Sequence, residues 1–487
     1  MVILMATTTI CLAQKVNLSA PIKDDFSMGF TKIIGYTPSG YFVQTGNLGY
    51  DVTVEKTGFR SPKYKLGFFN KDLNLVWDKL VESEASGGEV IDIKCVNGLA
   101  LVFSSLWDEK TAASTIYVTT FDTSGNKKTH QEVGPSIIMP AAPYAYGSAT
   151  SLKGSNIAIY ALSKAQDEKI EIRLIVIDEE LRIVSQTTGQ INQPVRNFSF
   201  AQMAVSESGD PILLGKRNDK SKGLSSKRNI SWFSYFIKNN SLFELPIGRG
   251  LETSMLAIAV DEFRNQAVIT GFVEEKDSYV GAGILTYRLG LDDSADTNIV
   301  KQSTTIDAGQ NIRLKGARNL GEGGGLASYP IRKIIPKGNG GLVLIAESAF
   351  TTEYSYFDSF SQSYTRRLEF NFGDIVVFSL DKHGAIDWST SVQKDQISMD
   401  DGGVFSSYCM MTASQKLATF FSEPVNRKSR VLMCGISHLG VTDKAVSLPV
   451  PEGTLLLPEG ARQIDEQDLL VPAVVKRKLH LIQISLN

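Results

Sequence analysis

The chain has 487 residues, 43% hydrophobic and 21% charged, with 50 Lys and Arg against 52 Asp and Glu. This is globular composition, in a chain too long for one ordinary compact core. A net charge of -2 argues against nucleic acid as a partner, and no apolar run reaches the roughly 18 residues of a membrane span.

The first element is the apolar stretch VILMATTTICLA, residues 2–13. It reads as the hydrophobic region and cleavage site of a signal peptide, residues 1–13, with a mature chain beginning at Gln14. No Lys or Arg precedes Lys15, so the customary positive region is missing; a frayed or buried N-terminal segment is the alternative. Export to the periplasm, cell surface or medium is the expectation. Beyond the leader stand Cys95, Cys409 and Cys434, each in an apolar run. They form no disulfide framework and read as small buried hydrophobes. A Cys409–Cys434 bridge within one sheet is the alternative.

From residue 34 onward one pattern recurs: strand, tight turn, strand, then a second such pair. The first pairs include IGYTPSGYFVQ (34–44), IDIKCVNGLALVF (91–103) and IRKIIPKGNGGLVLIAE (331–347). Their partners include YKLGFFNKDLNLVWDKL (64–80), TIYVTTFDTSGNKKTHQEV (115–133) and DIVVFSLDKHGAIDWSTSV (374–392). Val, Ile, Phe and Tyr fill the strands, and Gly, Asn, Ser and Pro fill the turns. The units start at 34, 91, 147, 201, 256, 331, 408 and 461, and five of the seven steps lie between 53 and 57 residues. A four-stranded unit at that spacing marks an all-β fold, the β-propeller, with few helices.

The eighth unit ends at KLHLIQISLN (478–487) without a fourth strand. QKVNLSAPIK (14–23) can supply it, since it resembles KAVSLPVPEG (444–453) of unit seven. Eight blades closed by an N-terminal strand, in one domain over 14–487, is therefore the expectation. Seven blades with a loose C-terminal hairpin is the alternative.

The stretches GGLVLIAES (340–348), GDIVVFSLDKHGAIDWSTSVQKDQIS (373–398) and SSY (406–408) resemble a pattern in uncharacterised secreted, propeller-like proteins of Bacteroidota. That resemblance implies export and a propeller, and no reaction. DKHGAIDW (381–388) and NKDLNLVWDK (70–79) are similar to the turn-and-tryptophan motif of eight-bladed quinoprotein and outer-membrane-assembly propellers. In that family the Trp docks between blades. Here only Trp77 and Trp388 recur, with His130, Val184 and Phe243 in the corresponding regions of other units. The similarity implies the architecture and leaves a quinone cofactor in doubt.

Catalytic patterns are scarce. His130, His383, His438 and His480 are isolated, with no HxH or HExxH among them. GEGGG (321–325) lacks the Lys of a phosphate loop, and LDDSAD (291–296) and MDDGG (399–403) lack the ligand order of a calcium loop. The cofactor is unknown. Two segments stand out as binding candidates. KRNDKSKGLSSKRN (216–229), with Lys216, Arg217, Lys227 and Arg228, is a solvated loop or a contact for an anionic partner. FTTEYSYFDSFSQSYTRRLEFNF (350–372) either extends its flanking strands or forms a recognition surface. Its hot spot is placed at Tyr354, Tyr356, Phe357 and Tyr364, with Arg366 and Arg367 as polar contacts.

The turns between strands one and two and between three and four are tight. The longer segments 45–63, 104–114, 216–229, 305–330 and 350–373 therefore share the opposite face. The reading is an exported, monomeric, non-enzymatic propeller that binds a protein or glycan of the cell envelope through that face. A quinone-dependent oxidoreductase or a glycan-active enzyme on the same scaffold is the alternative.

Overall fold

The computed structural model describes residues 14–23, 30–46, 64–84, 87–165, 167–220, 228–236, 241–248, 250–253, 255–275, 281–291, 300–305, 329–358, 362–413 and 416–486. The expected signal peptide, the GEGGG run, most of 45–63 and nearly all of 305–330 lie outside these residues. No helix among the described residues is long and apolar enough to cross a membrane.

The chain folds into eight antiparallel sheets, met in sequence order. Blade 1 is built from Phe30–Thr37, Gly40–Gly46, Tyr64–Asn70 and Leu75–Val81, paired in that order from the inside outward. Blades 2 to 5 span 89–138, 145–194, 198–245 and 251–305. Blade 6 spans 331–399 and blade 7 spans 409–447. Blade 8 has inner strands Leu455–Leu456 and Arg462–Gln463, then Asp468–Val475 and Lys478–Leu486. Its outermost strand is Gln14–Leu18, antiparallel to Lys478–Leu486 from Gln14 opposite Leu486 to Leu18 opposite Ile482. The expected closure is therefore present, and the seven-bladed alternative is excluded.

Closure is equally visible in the core. Each blade is a sheet with two apolar faces, and among the described residues clusters of buried side chains join every pair of consecutive blades. Phe42, Leu66 and Val102 lie between blades 1 and 2, and Phe103, Ile159 and Ile175 between blades 2 and 3. The series runs on to Phe420, Val471 and Ile482 between blades 7 and 8. Tyr41, Phe69, Leu470 and Leu481 then join blade 8 to blade 1. Fully burying such a side chain contributes about 1.5–3 kcal/mol, so the ring is held mainly by these seams.

Two seams carry a tryptophan lock at the outer strand. The Trp77 indole N–H donates to Thr123 O at 2.8 Å, in the three-to-four turn of blade 2. The Trp388 indole N–H donates to His438 O at 3.0 Å, in the same turn of blade 7. Each ring lies flat on the glycine closing that turn. A Cβ on Gly125 would sit 2.8 Å from Trp77, and one on Gly440 would sit 2.6 Å from Trp388. Gln302 does the same work between blades 5 and 6, donating from Nε2 to Lys382 O at 3.0 Å.

The three described cysteines, Cys95, Cys409 and Cys434, are free thiols, so the Cys409–Cys434 bridge is not made. Cys409 Sγ faces Phe420 O and Cys434 Sγ faces Asp443 O.

Candidate functional site

Three of the five segments expected as long loops, 104–114, 216–229 and 350–373, are corrected by the structure where it describes them. Residues 104–114 belong to the paired strands Leu99–Asp108 and Ala113–Phe121, leaving a four-residue turn. In blade 4 the strands continue to Lys220 and resume at Arg228. In blade 6, Leu342–Asp358 and Ser363–Leu380 pair, with one register shift between Glu347 and Ala349, as far as Asp358 opposite Ser363. The alternating Thr, Tyr, Phe and Leu of 350–372 suit a strand exposed on both faces, so the chain keeps its β-geometry. The part beyond the blade, 349–358, spans about 33 Å at the usual rise per residue. Gln396–Met399 adds a third strand along its base, pairing with Glu369–Phe372.

Directly opposed residues share a face of such a sheet. Tyr354 lies opposite Arg367 and Tyr356 opposite Thr365, whereas Ser355 lies opposite Arg366 and Phe357 opposite Tyr364. The expected hot spot is thereby split. Tyr354, Tyr356 and Arg367 share one face with Ile397 and Met399; Phe357, Tyr364 and Arg366 share the other. All four aromatic rings are exposed, Tyr364 most of all at 77%. Arg367 lies 6.0 Å from the Tyr356 ring centroid and 3.7 Å from Asp400. Tyr354 donates from its hydroxyl to Glu369 at 3.3 Å. On the second face Arg366 pairs with Glu353, and Phe357 meets Tyr364 edge to face with centroids 5.4 Å apart.

A buried polar cluster anchors the hairpin where it leaves blade 6. Glu347 stands at a register shift in the ladder. Its Oε1 lies 2.8 Å from Lys394 Nζ, and both side chains are fully buried. Its Oε2 accepts from Arg332 Nε at 3.1 Å and from Ser407 Oγ at 2.5 Å. Lys394 Nζ also donates to Gln396 Oε1 at 2.8 Å, and Gln396 Nε2 donates to Ser422 O of blade 7 at 2.7 Å. Burial pushes the Lys394 pKa down, with the Glu347 charge opposing that shift. Burial likewise holds the Tyr408 hydroxyl well above its usual range. An uncompensated charge here would be costly, so the cluster fixes the hairpin base rigidly.

Sequence reasoning did not single out Glu347, Arg332, Lys394 or Gln396. One signal was present: the stretches 340–348, 373–398 and 406–408, which carry the first resemblance, meet in this cluster. Ile397 and Met399 were also missed, because QISM is too short to stand out as a strand.

The basic segment is divided as well. The Lys216 ammonium lies 5.9 Å from the Trp232 ring, and the Arg217 guanidinium 5.3 Å from the Phe233 ring. Arg217 Nη1 donates to Gln193 Oε1 of blade 3 at 3.0 Å. These two are therefore half-buried strand residues engaged with blade 4 itself and, for Arg217, with blade 3, not tips of a solvated loop. Arg228 begins a strand and Lys227 lies outside the described residues. The second strands of blades 4 and 6 end, and their third strands begin, on the same face, as the strand order requires.

No known family's sequence pattern matches the chain, and no curated protein matches it. Solved structures similar to it include a WD40 domain and a β-propeller domain. Sqt1 from Chaetomium thermophilum, bound to the N-terminus of ribosomal protein L10, shares 10% identity over 95% of this chain and 98% of that one, with a TM-score of 0.43. The WD40 domain of SCAP from fission yeast shares 7% over 97% and 98%, with a TM-score of 0.35. The β-propeller domain of the Trilobed protease from Pyrococcus furiosus shares 8% over 86% and 92%, with a TM-score of 0.33. At such identity no binding or activity transfers, and the fold rests on the eight sheets and their closed ring.

Proposed function

We propose that this chain is an exported, monomeric binding protein of the cell envelope, without catalytic activity, whose recognition element is the blade 6 hairpin. The observation that carries the reading is the concentration of exposed aromatic rings on that hairpin, above a fully buried anchor. Tyr354, Tyr356, Phe357 and Tyr364 each offer a large apolar body at low entropic cost. A rigid scaffold that projects such residues favours recognition, because little ordering remains to be done on binding.

The test is capture from envelope extract by a chain whose hairpin is shortened by removing 352–365, against a chain with the turn at 381–384 replaced. Loss of the captured partner only with the shortened hairpin is expected. Equal capture by both, with both folded, would reject the assignment.

A further inference from the structure

Each inner strand normally covers the edge of the strand beside it. In blade 1 the pairing extends over all of Gly40–Gly46. In blade 3 it reaches Leu162, two residues short of the strand end at Lys164. In blade 5 the short strand Leu251–Glu252 extends the cover to Glu275, the last residue. Blade 6 differs. Its inner strand stops pairing at Ile331 opposite Ala346, and the second strand runs on to Asp358. Glu347 N still reaches Pro330 O. Among the described residues, no strand pairs with the outer edge of 348–358.

Alternate residues of that edge direct N–H and C=O groups outward. Such a row is a template for strand addition, and proteins usually blunt it with Lys, Pro or a bulge. Beyond the shift at Glu347 none of these devices occurs in SAFTTEYSYFD (348–358). The edge carries two carboxylates, Glu353, which is paired with Arg366 across the hairpin, and Asp358 at its far end, so its middle is close to neutral. Tyr354 and Tyr356 flank the edge on one face and Phe357 on the other, so an added strand meets apolar surface on both sides.

We propose that the edge 348–358 accepts an extended, uncharged peptide segment of a partner protein as an added β-strand. The proposal rests on the hairpin being the recognition element and deepens it by naming the recognition mode. Backbone pairing supplies the affinity, and alternate side chains against Tyr354, Tyr356 and Phe357 supply the selectivity. A glycan has no row of amides to match the edge, so the protein is the partner class this geometry favours.

The experiment uses the full chain in two steps. First, hydrogen exchange on the free protein should show alternate amides of 349–357 exchanging freely; protection of every one of them would overturn the proposal. Second, phage-displayed random peptides are selected on the wild-type chain and tested on two variants, Thr352→Pro and Glu353→Pro. Neighbouring residues point their N–H groups to opposite edges, so one proline removes an outward donor and leaves the hairpin ladder intact. That variant should bind the selected peptides about tenfold more weakly, the loss expected for one or two backbone hydrogen bonds. No enrichment, or equal binding by the hairpin-intact proline variant, overturns the edge mechanism. Equal binding by that variant with capture still lost on shortening the hairpin leaves the site standing and removes only strand addition. Dimerisation of the chain through this edge overturns the choice of occupant.

Discussion

Lys394 and Glu347 face each other across 2.8 Å with neither side chain exposed to solvent, and the pair joins the hairpin base to the segment entering blade 7. A buried pair of this kind is costly to break from one side, since the remaining charge has no water. Lys394→Met should therefore cost about 3–5 kcal/mol, whereas Lys394→Met with Glu347→Leu should recover much of it. Chemical denaturation of the two single variants and the double variant measures this. Additive losses in the double variant would show that the pair is not coupled.

Ring closure rests on a short N-terminal strand. Besides the ladder with Lys478–Leu486, Ser19 N donates to Leu481 O and Ile22 N to Leu479 O. Removing residues 14–23 should expose an apolar edge, lower the melting temperature and promote association. Size-exclusion chromatography with thermal melting checks it. A monomer with unchanged melting would contradict closure by this strand.

The tryptophan locks predict a glycine requirement. Gly125 has φ +79° and Gly440 has φ +78°, in the left-handed region, each under an indole ring. Gly125→Ala and Gly440→Ala should each cost about 1–3 kcal/mol, from backbone strain plus displacement of Trp77 or Trp388. Indole fluorescence should shift as the ring loosens. Full stability with unshifted emission would show that the ring does not depend on the bare turn.

Burial pushes the Cys409 thiol up to about 12 and the Cys95 and Cys434 thiols up to about 11, from an ordinary value of 9.0. The native thiols should resist alkylation at pH 8 and react on unfolding. The raised values also set a sign. A folded pKa above the unfolded one gives stability that is complete below pH 9 and declines as pH rises toward 11–12. Cys409→Ala should flatten that decline. Rapid native alkylation of Cys409 would contradict its burial.

The architecture was legible in the sequence because each strand pair is local: an apolar run, a turn rich in Gly or Asn, and another apolar run. IDIKCVNGLALVF reads as a hairpin with no tertiary information. The closing strand was legible for a different reason, that unit eight lacks its outer member. The hairpin of blade 6 was less legible. Its residues have strand composition, but nothing local shows whether a polar and aromatic run extends a sheet or crosses its surface. Pairing across the hairpin also decides that Tyr356 and Phe357 face opposite ways, a consequence of the two-residue period of a strand. The Glu347–Lys394 pair was hidden because it joins distant positions, and a charge within an apolar run looks like a solvated turn until its partner is found.

The central claim is that the blade 6 hairpin, and not the tight-turn face, meets the partner. The most direct measurement places a photo-cross-linking amino acid at Tyr356 or Tyr364 on the hairpin, and at Phe263 or Leu439 in tight turns of the opposite face, in intact cells. All four side chains are exposed, so each probe can reach a partner on its own face. A discrete cross-linked product is expected from the hairpin positions and none from the turn positions. A product from Phe263 or Leu439 with none from the hairpin would contradict it.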